Sequence, residues 1–318
     1  MNENYPAVEY INNHFVELYF FPAYALLRLV TIYYFLFPGK AGKTLRYYFQ
    51  KRLGYSFLHA RLAIYQNFNY LGRSIIDKVV LMSGVPSPFA VNHDGVANLD
   101  EMARQGKGAL LINAHLGNWE AAGHLLKRTN SKINIVMFDG EHEKIKDYLE
   151  RVIERSFNVI VIQEDISHIS EISAALQRNE FVCIHADRYV EDNKTIEATL
   201  LGQRALFPIG PFELGTTFQV PVSFLFAMKE GLKHYHFYAS PGKIYPRGRA
   251  GIPEVVDDYT RKVEGMIKKY PLQWHNYVEF LEEKRLSIDT SMWHRRCSFH
   301  TDNFRTQIIK NTIFVSSL

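Results

Sequence analysis

Apolar residues recur at helical spacing along one early stretch of the chain: Phe57, Leu58, Leu62, Tyr65, Phe68, Leu71, Ile75, Ile76 and Val79. The spacing predicts a long amphipathic helix over 57–82, broken by GVPSPF. The pattern then changes to short apolar runs at 109–114, 133–138, 158–163, 181–186 and 220–227, which read as strands. NLDEMARQ, NWEAAGHLLKR, EHEKIKDYLERVIER and ISEISAALQR read as helices between them. Strands alternating with helices of this length predict an α/β fold, with a mostly parallel central sheet flanked by helices. Residues 188–207 have no clear period and read as a long loop, which in a compact domain is more often functional than idle. A strand pair follows, VPVSFLFAM and HYHFYASP, then a charged helix over 253–269 and an aromatic segment, PLQWHNYVEF. The tail from about 286 has neither periodicity nor turn signals and reads as irregular.

Ahead of this domain, LYFFPAYALLRLVTIYYFLF (18–37) has the length of a membrane span. It also carries Pro22 and a central Arg28, and an arginine at mid-bilayer costs about 2.5–3.5 kcal/mol. The surrounding apolar residues roughly cancel that penalty and leave little surplus. Lys40, Lys43, Arg46, Lys51 and Arg52 follow directly. Two readings stand: a buried amphipathic helix, or a helix lying in the interface with its cationic flank on an anionic membrane surface. The second is the expectation. It divides the chain into an N-terminal membrane-associating helical segment (1–55), an α/β domain (56–285) and an irregular tail (286–318).

Composition narrows the field. The chain has 318 residues, 22% of them charged, and a net charge of +4. That balance is too mild for a nucleic-acid binder and suits weak attraction to an anionic surface. The 22 Phe and 19 Tyr fit a core, and equally a boundary between apolar and wet surroundings. Two cysteines, Cys183 and Cys297, lie far apart without a CxxC, which argues against disulfide frameworks and cysteine-rich zinc sites. The start, MNENYPAVEY, has no basic n-region of a cleavable signal. No G-x-S-x-G, P-loop or G-x-G-x-x-G occurs, which removes the obvious hydrolase and nucleotide-binding readings.

The chemistry concentrates in GALLINAHLGNWEAAGHLL, 108–126. An apolar strand ends there in His115, with Gly117, Asn118 and Glu120 just beyond. On one regular helix a spacing of five would turn His115 and Glu120 about 140° apart. If the strand ends at Ala114 and a helix begins near Asn118, the turn between folds His115 over the first helical turn, with Asn118 as N-cap. Glu120 would then take the proton of one ring nitrogen and leave the other free to deprotonate a substrate hydroxyl. The chain holds a second H-x4-D match, His142 and Asp147, in a stretch that reads as a charged amphipathic helix, where both side chains are expected to face solvent. The first match differs in its place at a strand end, where open α/β sheets carry their sites. The alternative for His115 is a core histidine satisfied by a neighbour.

HLGNWE, the strand before it, and the later block ATLLGQRALFPIGPFELG (198–215) resemble the lysophospholipid acyltransferase superfamily, and within it the bacterial lipid A biosynthesis lauroyl and myristoyl acyltransferases. The likeness runs from the N-terminus to about residue 280. The resemblance implies His115 as catalytic base and Glu120 as its orienting acid. It also implies an acyl carrier protein thioester as donor, a hydroxyl on a membrane lipid or glycolipid as acceptor, no metal or other cofactor, and a place on the cytoplasmic side of a bacterial inner membrane. A strand-terminal aspartate belongs to the pattern, and Asp187 in CIHADR occupies its place. Two departures are plain. IVMFDGEHEK lacks the arginine usual after the strand that follows the dyad helix, and Ile209 stands where an FPEG block has an acid.

The remaining candidates for substrate binding are Asn118, Asp187, Arg188, Arg204 and Gly210. Asp187 and Arg188 close a strand, and a cap or salt bridge is the other use for them. Arg204, with Lys194, could meet the phosphopantetheine or a lipid headgroup. Gly210, before Pro211, starts a helix whose backbone could approach the thioester. Backbone N–H groups near Gly117, or Arg188, are the candidate oxyanion donors. His185 and Asp187 alternate on one strand face as metal ligands can, yet no third ligand stands at a recognisable spacing. The expectation is a membrane-associated acyltransferase; a lipid-surface hydrolase or a non-catalytic lipid-binding protein is the alternative.

Overall fold

The structure, a computed structural model, describes residues 22–82, 87–118, 121, 131–138, 157–162, 166–189 and 194–277. The expected tail, the helix expected over EHEKIKDYLERVIER, and all but Ala121 of the helix expected after Asn118 lie outside the described residues.

Helix α1 spans 22–36, α2 is Gly39–Tyr47 followed by a π-helical turn, Tyr48–Arg52, and α3 is Phe57–Met82, the helix its spacing predicts. Tyr24 bonds Asp77, Asn69 bonds Thr31, and the rings of Phe35 and Tyr65 meet at 5.9 Å. Contacts that ascend one helix descend the other, so α1 and α3 pack antiparallel. Tyr24, Leu27, Thr31 and Phe35 recur every three or four residues and form the inner face of α1. Its outer face stays exposed: Leu26, Leu29, Tyr33, Leu36 and Phe37, joined by Phe57, Leu58 and Leu62 of α3. Among the described residues no helix is long and apolar enough to cross a membrane. Arg28 lies on the exposed side of α1, and Pro38 falls just past its end.

The central sheet has seven strands: β1 (Ala90–Asp94), β2 (Ala109–Asn113), β3 (Ile133–Phe138), β4 (Asn158–Ile162), β5 (Phe181–His185), β8 (Val222–Gly231) and β9 (His234–Ala239), in the order β1-β9-β8-β2-β5-β3-β4. A separate hairpin supplies β6 (Thr195–Leu200) and β7 (Gln203–Pro208). Every sheet pairing except β8–β9 is parallel. Helices α4 (Val96–Arg104), α5 (Ser167–Gln177), α6 (Gly210–Phe218) and α7 (Ile252–Lys269) join the strands. All five residues of β2 are buried, because a central parallel strand has both faces covered. Alternation sends Leu110 and Ile112 to one core with Val182, Phe224 and Tyr259, and Leu111 to the other with Phe181, Cys183 and Ala227.

Two elements differ from the expectation. Residues 188–207 are not a loop throughout: β6 (Thr195–Leu200) and β7 (Gln203–Pro208) form an antiparallel hairpin in which Leu200 faces Gln203. Leu201 and Gly202 between them both take positive φ, the geometry of a tight hairpin turn whose twist matches its strands. β1 was also unforeseen. AVNHD is mostly exposed and has no apolar run, and it adds to the sheet as an edge strand along β9.

Candidate active site

β2 and β5 are parallel neighbours in which Asn113 faces His185. Two residues further along each strand direction stand His115 and Asp187, and the adjoining ladder continues as Ala186 donates to the Asn113 carbonyl at 3.1 Å. The register therefore brings together two residues 72 apart in sequence. Asp187 takes the His115 backbone N–H on Oδ2 at 2.9 Å and meets ring Nδ1 with Oδ1 at 2.7 Å. Burial by itself would raise the Asp187 pKa, but His115, Arg188 and His185 together hold it well below the usual carboxylate range. An ionised carboxylate only accepts, so Nδ1 carries the proton, and in the neutral ring Nε2 is left with a bare lone pair. The His115 side chain is 21% exposed and Asp187 2%.

A strap after the short 3₁₀ turn Pro271–Gln273 pairs antiparallel with the residues around His115, with Leu116 opposite Trp274. Gly117 donates to the Gln273 carbonyl at 2.9 Å, and His275 donates to the His115 carbonyl at 2.8 Å. A regular ladder would close the next pair by a bond from His115 N–H to the His275 carbonyl. Asp187 takes that N–H instead, and the Arg188 guanidinium donates to that carbonyl at 2.6 Å. The Asp187–Arg188 dipeptide thus interrupts the ladder at His115. Gly117 has φ of 76°, and a Cβ there would collide with the Ala227 carbonyl of β8, so the tight turn after His115 requires glycine.

Two further histidines adjoin His115. The His185 ring stacks on it at 4.4 Å between centroids. Burial holds the His185 pKa well below 6.5, with the neighbouring His115 adding to the effect. Burial, then Arg188 and His115, bring His275 from 6.5 down to about 3. Both rings are neutral in the folded protein where the unfolded chain would be protonated, so the unfolded state binds more protons below pH 6.5. Stability should fall as pH drops from 6.5 toward 3, by up to about 1.4 kcal/mol per pH unit for each ring, and be unaffected by them above that window. Urea unfolding at a series of pH values checks this: His275→Phe should flatten the slope over that range, and a slope equal to wild type would contradict it.

The other predicted residues fall in several places. Glu120 lies outside the described residues. The sequence reading gave it the histidine's ring nitrogen, and at Nδ1 the structure has Asp187. Asn118 is buried and acts as a cap: its Oδ1 accepts the Ala121 N–H at 3.2 Å, while Nδ2 donates to Tyr235 and to the Ser74 carbonyl. Arg188 binds the strap. Arg204 is on the hairpin, in an exposed cross-strand ion pair with Glu197 at 2.6 Å, and Lys194 lies exposed just before β6. Gly210 opens α6, exposed and directly before Pro211. The backbone donors proposed near Gly117 are spent: the N–H groups of His115, Leu116, Gly117 and Asn118 go to Asp187, Ala114, Gln273 and Ala227. Among the described residues of this turn, 115–118, no backbone N–H is left for an oxyanion. Among the described residues no group of three or more His, Cys, Asp or Glu is arranged to hold a metal ion.

Sequence reading weighed His185 only as a metal ligand, and it missed His275 and a buried charge cluster next to the Asn118 cap. Lys229 of β8 donates to Asp77 of α3 at 2.5 Å and to the Leu232 carbonyl at 2.7 Å. Tyr24 and Tyr235 also donate to Asp77. Tyr235 in turn accepts from Asn118 at 3.1 Å, so the cluster ties α1, α3 and the sheet to the turn after His115. Lys229 directly follows the apolar run 220–228 and precedes Glu230 and Gly231, so in the sequence it reads as an ordinary strand-end charge.

The family model described as bacterial lipid A biosynthesis acyltransferase matches residues 63–278, which include every residue of the site. Comparison with curated proteins returns no match.

Proposed function

Since the chain belongs to the bacterial lipid A biosynthesis acyltransferase family and is an acyltransferase, we propose that it moves a fatty acyl chain from an acyl carrier protein thioester to a hydroxyl of a membrane lipid or glycolipid, with His115 as general base. The observation that carries the reading is the Asp187 clamp, which fixes the backbone and Nδ1 of His115 and leaves Nε2 bare. Nε2 takes the hydroxyl proton as the oxygen attacks the thioester carbonyl carbon. The tetrahedral oxyanion then collapses, the C–S bond breaks, and the proton on Nε2 passes to the leaving sulfur. General-base help of this kind is worth about 10²–10⁴ in rate. Arg188 is the candidate oxyanion donor, and one such donor is worth about 2.7–4 kcal/mol. Glu120, the acid of the H-x4-E pair, is proposed as a further orienting acid for the same histidine.

The exposed apolar face of α1 and the start of α3, beside the exposed Lys40, Lys43 and Arg46, supports attachment to the anionic cytoplasmic face of a bacterial inner membrane. The reaction is tested with labelled acyl–acyl carrier protein and a lipid A precursor glycolipid in anionic phospholipid vesicles. Label appearing in the glycolipid is the expected result. Label released only as free fatty acid would make the protein a hydrolase, and label remaining on the carrier protein would overturn the reading.

A further inference from the structure

Both members of the catalytic pair hang from the same few residues. His275 donates its N–H to the His115 carbonyl at 2.8 Å, and Gly117 donates to the Gln273 carbonyl at 2.9 Å. On the Asp187 side, the Asn276 carboxamide donates to the Asp187 carbonyl at 3.2 Å, and Arg188 donates to the His275 carbonyl at 2.6 Å. The strap of residues 271–277 therefore holds the two ends of the His115–Asp187 contact.

One side chain outside the pair fastens this strap. Asn67, in the middle of α3 and with no exposed surface, donates through Nδ2 to the Leu272 and Trp274 carbonyls, each at 3.0 Å. Its Oδ1 accepts the Tyr277 hydroxyl at 2.9 Å. One carboxamide thus grips three residues of a six-residue stretch and spends both amide hydrogens doing so. Tyr48 adds a bond to the Pro271 carbonyl at 3.0 Å at the near end. A buried asparagine facing β-like backbone is costly unless every group is met, and here every group is met.

We propose that Asn67 is a positioning residue for the reaction, acting through the 271–277 strap to set the His115–Asp187 distance. The inference rests on the general-base reading above. A contact held at 2.7 Å between groups on two different strand ends depends on both ends staying in place. A misplacement of about 1 Å at a reacting centre costs about 10²-fold in rate. Asn67→Asp removes the two donors from the Leu272 and Trp274 carbonyls with almost no change of shape. Tyr277→Phe is the milder companion, removing only the hydroxyl that Asn67 accepts.

The experiment compares full-length wild type, Asn67→Asp, Tyr277→Phe and Ile172→Ala. The last is a cavity in the buried face of α5 that destabilises the protein away from the strap. All four are assayed at a temperature where circular dichroism shows them folded. Expected are a kcat about 10²-fold lower for Asn67→Asp with KM within about 3-fold of wild type, about 5-fold lower for Tyr277→Phe, and a wild-type kcat for Ile172→Ala. The low-field proton resonance of His115 Nδ1–H, hydrogen-bonded to Asp187, should be lost in Asn67→Asp and kept in Ile172→Ala. This second readout needs no turnover and so separates the two claims: an inactive wild type that keeps the resonance fails the acyl-transfer reading alone. A folded Asn67→Asp that keeps both kcat and the resonance overturns the proposal, as does an equal loss in Ile172→Ala. Should Asn67→Asp fail to fold, Tyr277→Phe decides: a wild-type kcat and resonance there overturn the inference.

Discussion

Asp187→Asn is expected to lower kcat for acyl transfer by about 10³–10⁴-fold in a protein that remains folded. The size follows from hydrogen-bond bookkeeping at one carboxylate. Oδ2 of Asp187 accepts the His115 backbone N–H, and that donor cannot be reversed. An asparagine must therefore place its oxygen there and its NH₂ on ring Nδ1. Nδ1 then becomes the acceptor, the ring proton moves to Nε2, and the nitrogen proposed to receive the substrate proton is already occupied. Shape and packing barely change, so the loss reflects the tautomer alone. His115→Ala should cost about 10²–10⁴ in the same assay, since it removes the proposed base. Steady-state kinetics with labelled acyl–acyl carrier protein checks both. An Asp187→Asn enzyme within tenfold of wild type would show that another group fixes the ring.

Lys229→Met is expected to destabilise the fold by about 3–5 kcal/mol. Its ammonium is 2% exposed and Asp77 has no exposed surface, so removing the cation strands a carboxylate between α3 and the sheet. Burial lowers the Lys229 pKa, and Asp77 offsets part of that penalty. The rings of Tyr235, Phe89 and Tyr24 surround the ammonium at 4.7, 5.1 and 5.8 Å. A double variant, Asp77→Leu with Lys229→Met, leaves no charge behind and should recover most of the loss, because a buried pair replaced as a whole is often near neutral. Urea midpoints of the two variants test this. A single variant within about 1 kcal/mol of wild type would mean that the two tyrosine hydroxyls suffice for Asp77.

What the sequence made legible follows the length and clarity of its periods. α3 carries nine apolar residues at helical spacing, and its expected range of 57–82 coincides with the observed Phe57–Met82. β2 and β5 announced themselves as continuous apolar runs, because both faces of a central parallel strand are covered. The β6–β7 hairpin was overlooked although TIEATL alternates polar and apolar residues at every step, because QRALFP after it does not alternate. His115 was legible as a polar stop at the end of an apolar strand. Its partner was not: Asp187 stood out for the same reason, but only the β2–β5 register says the two strand ends are neighbours. The strap was hidden for a different reason. LQWHNY works through backbone groups and carboxamides, which leave no apolar pattern behind.

Nitrogen-15 NMR of histidine-labelled protein, at a pH where the His115 ring is neutral, tests the central claim most directly. Wild type should show His115 protonated at Nδ1 with Nε2 bare, and Asp187→Asn should show the opposite tautomer. Identical His115 spectra in the two proteins, or a proton on Nε2 in wild type, would contradict the account.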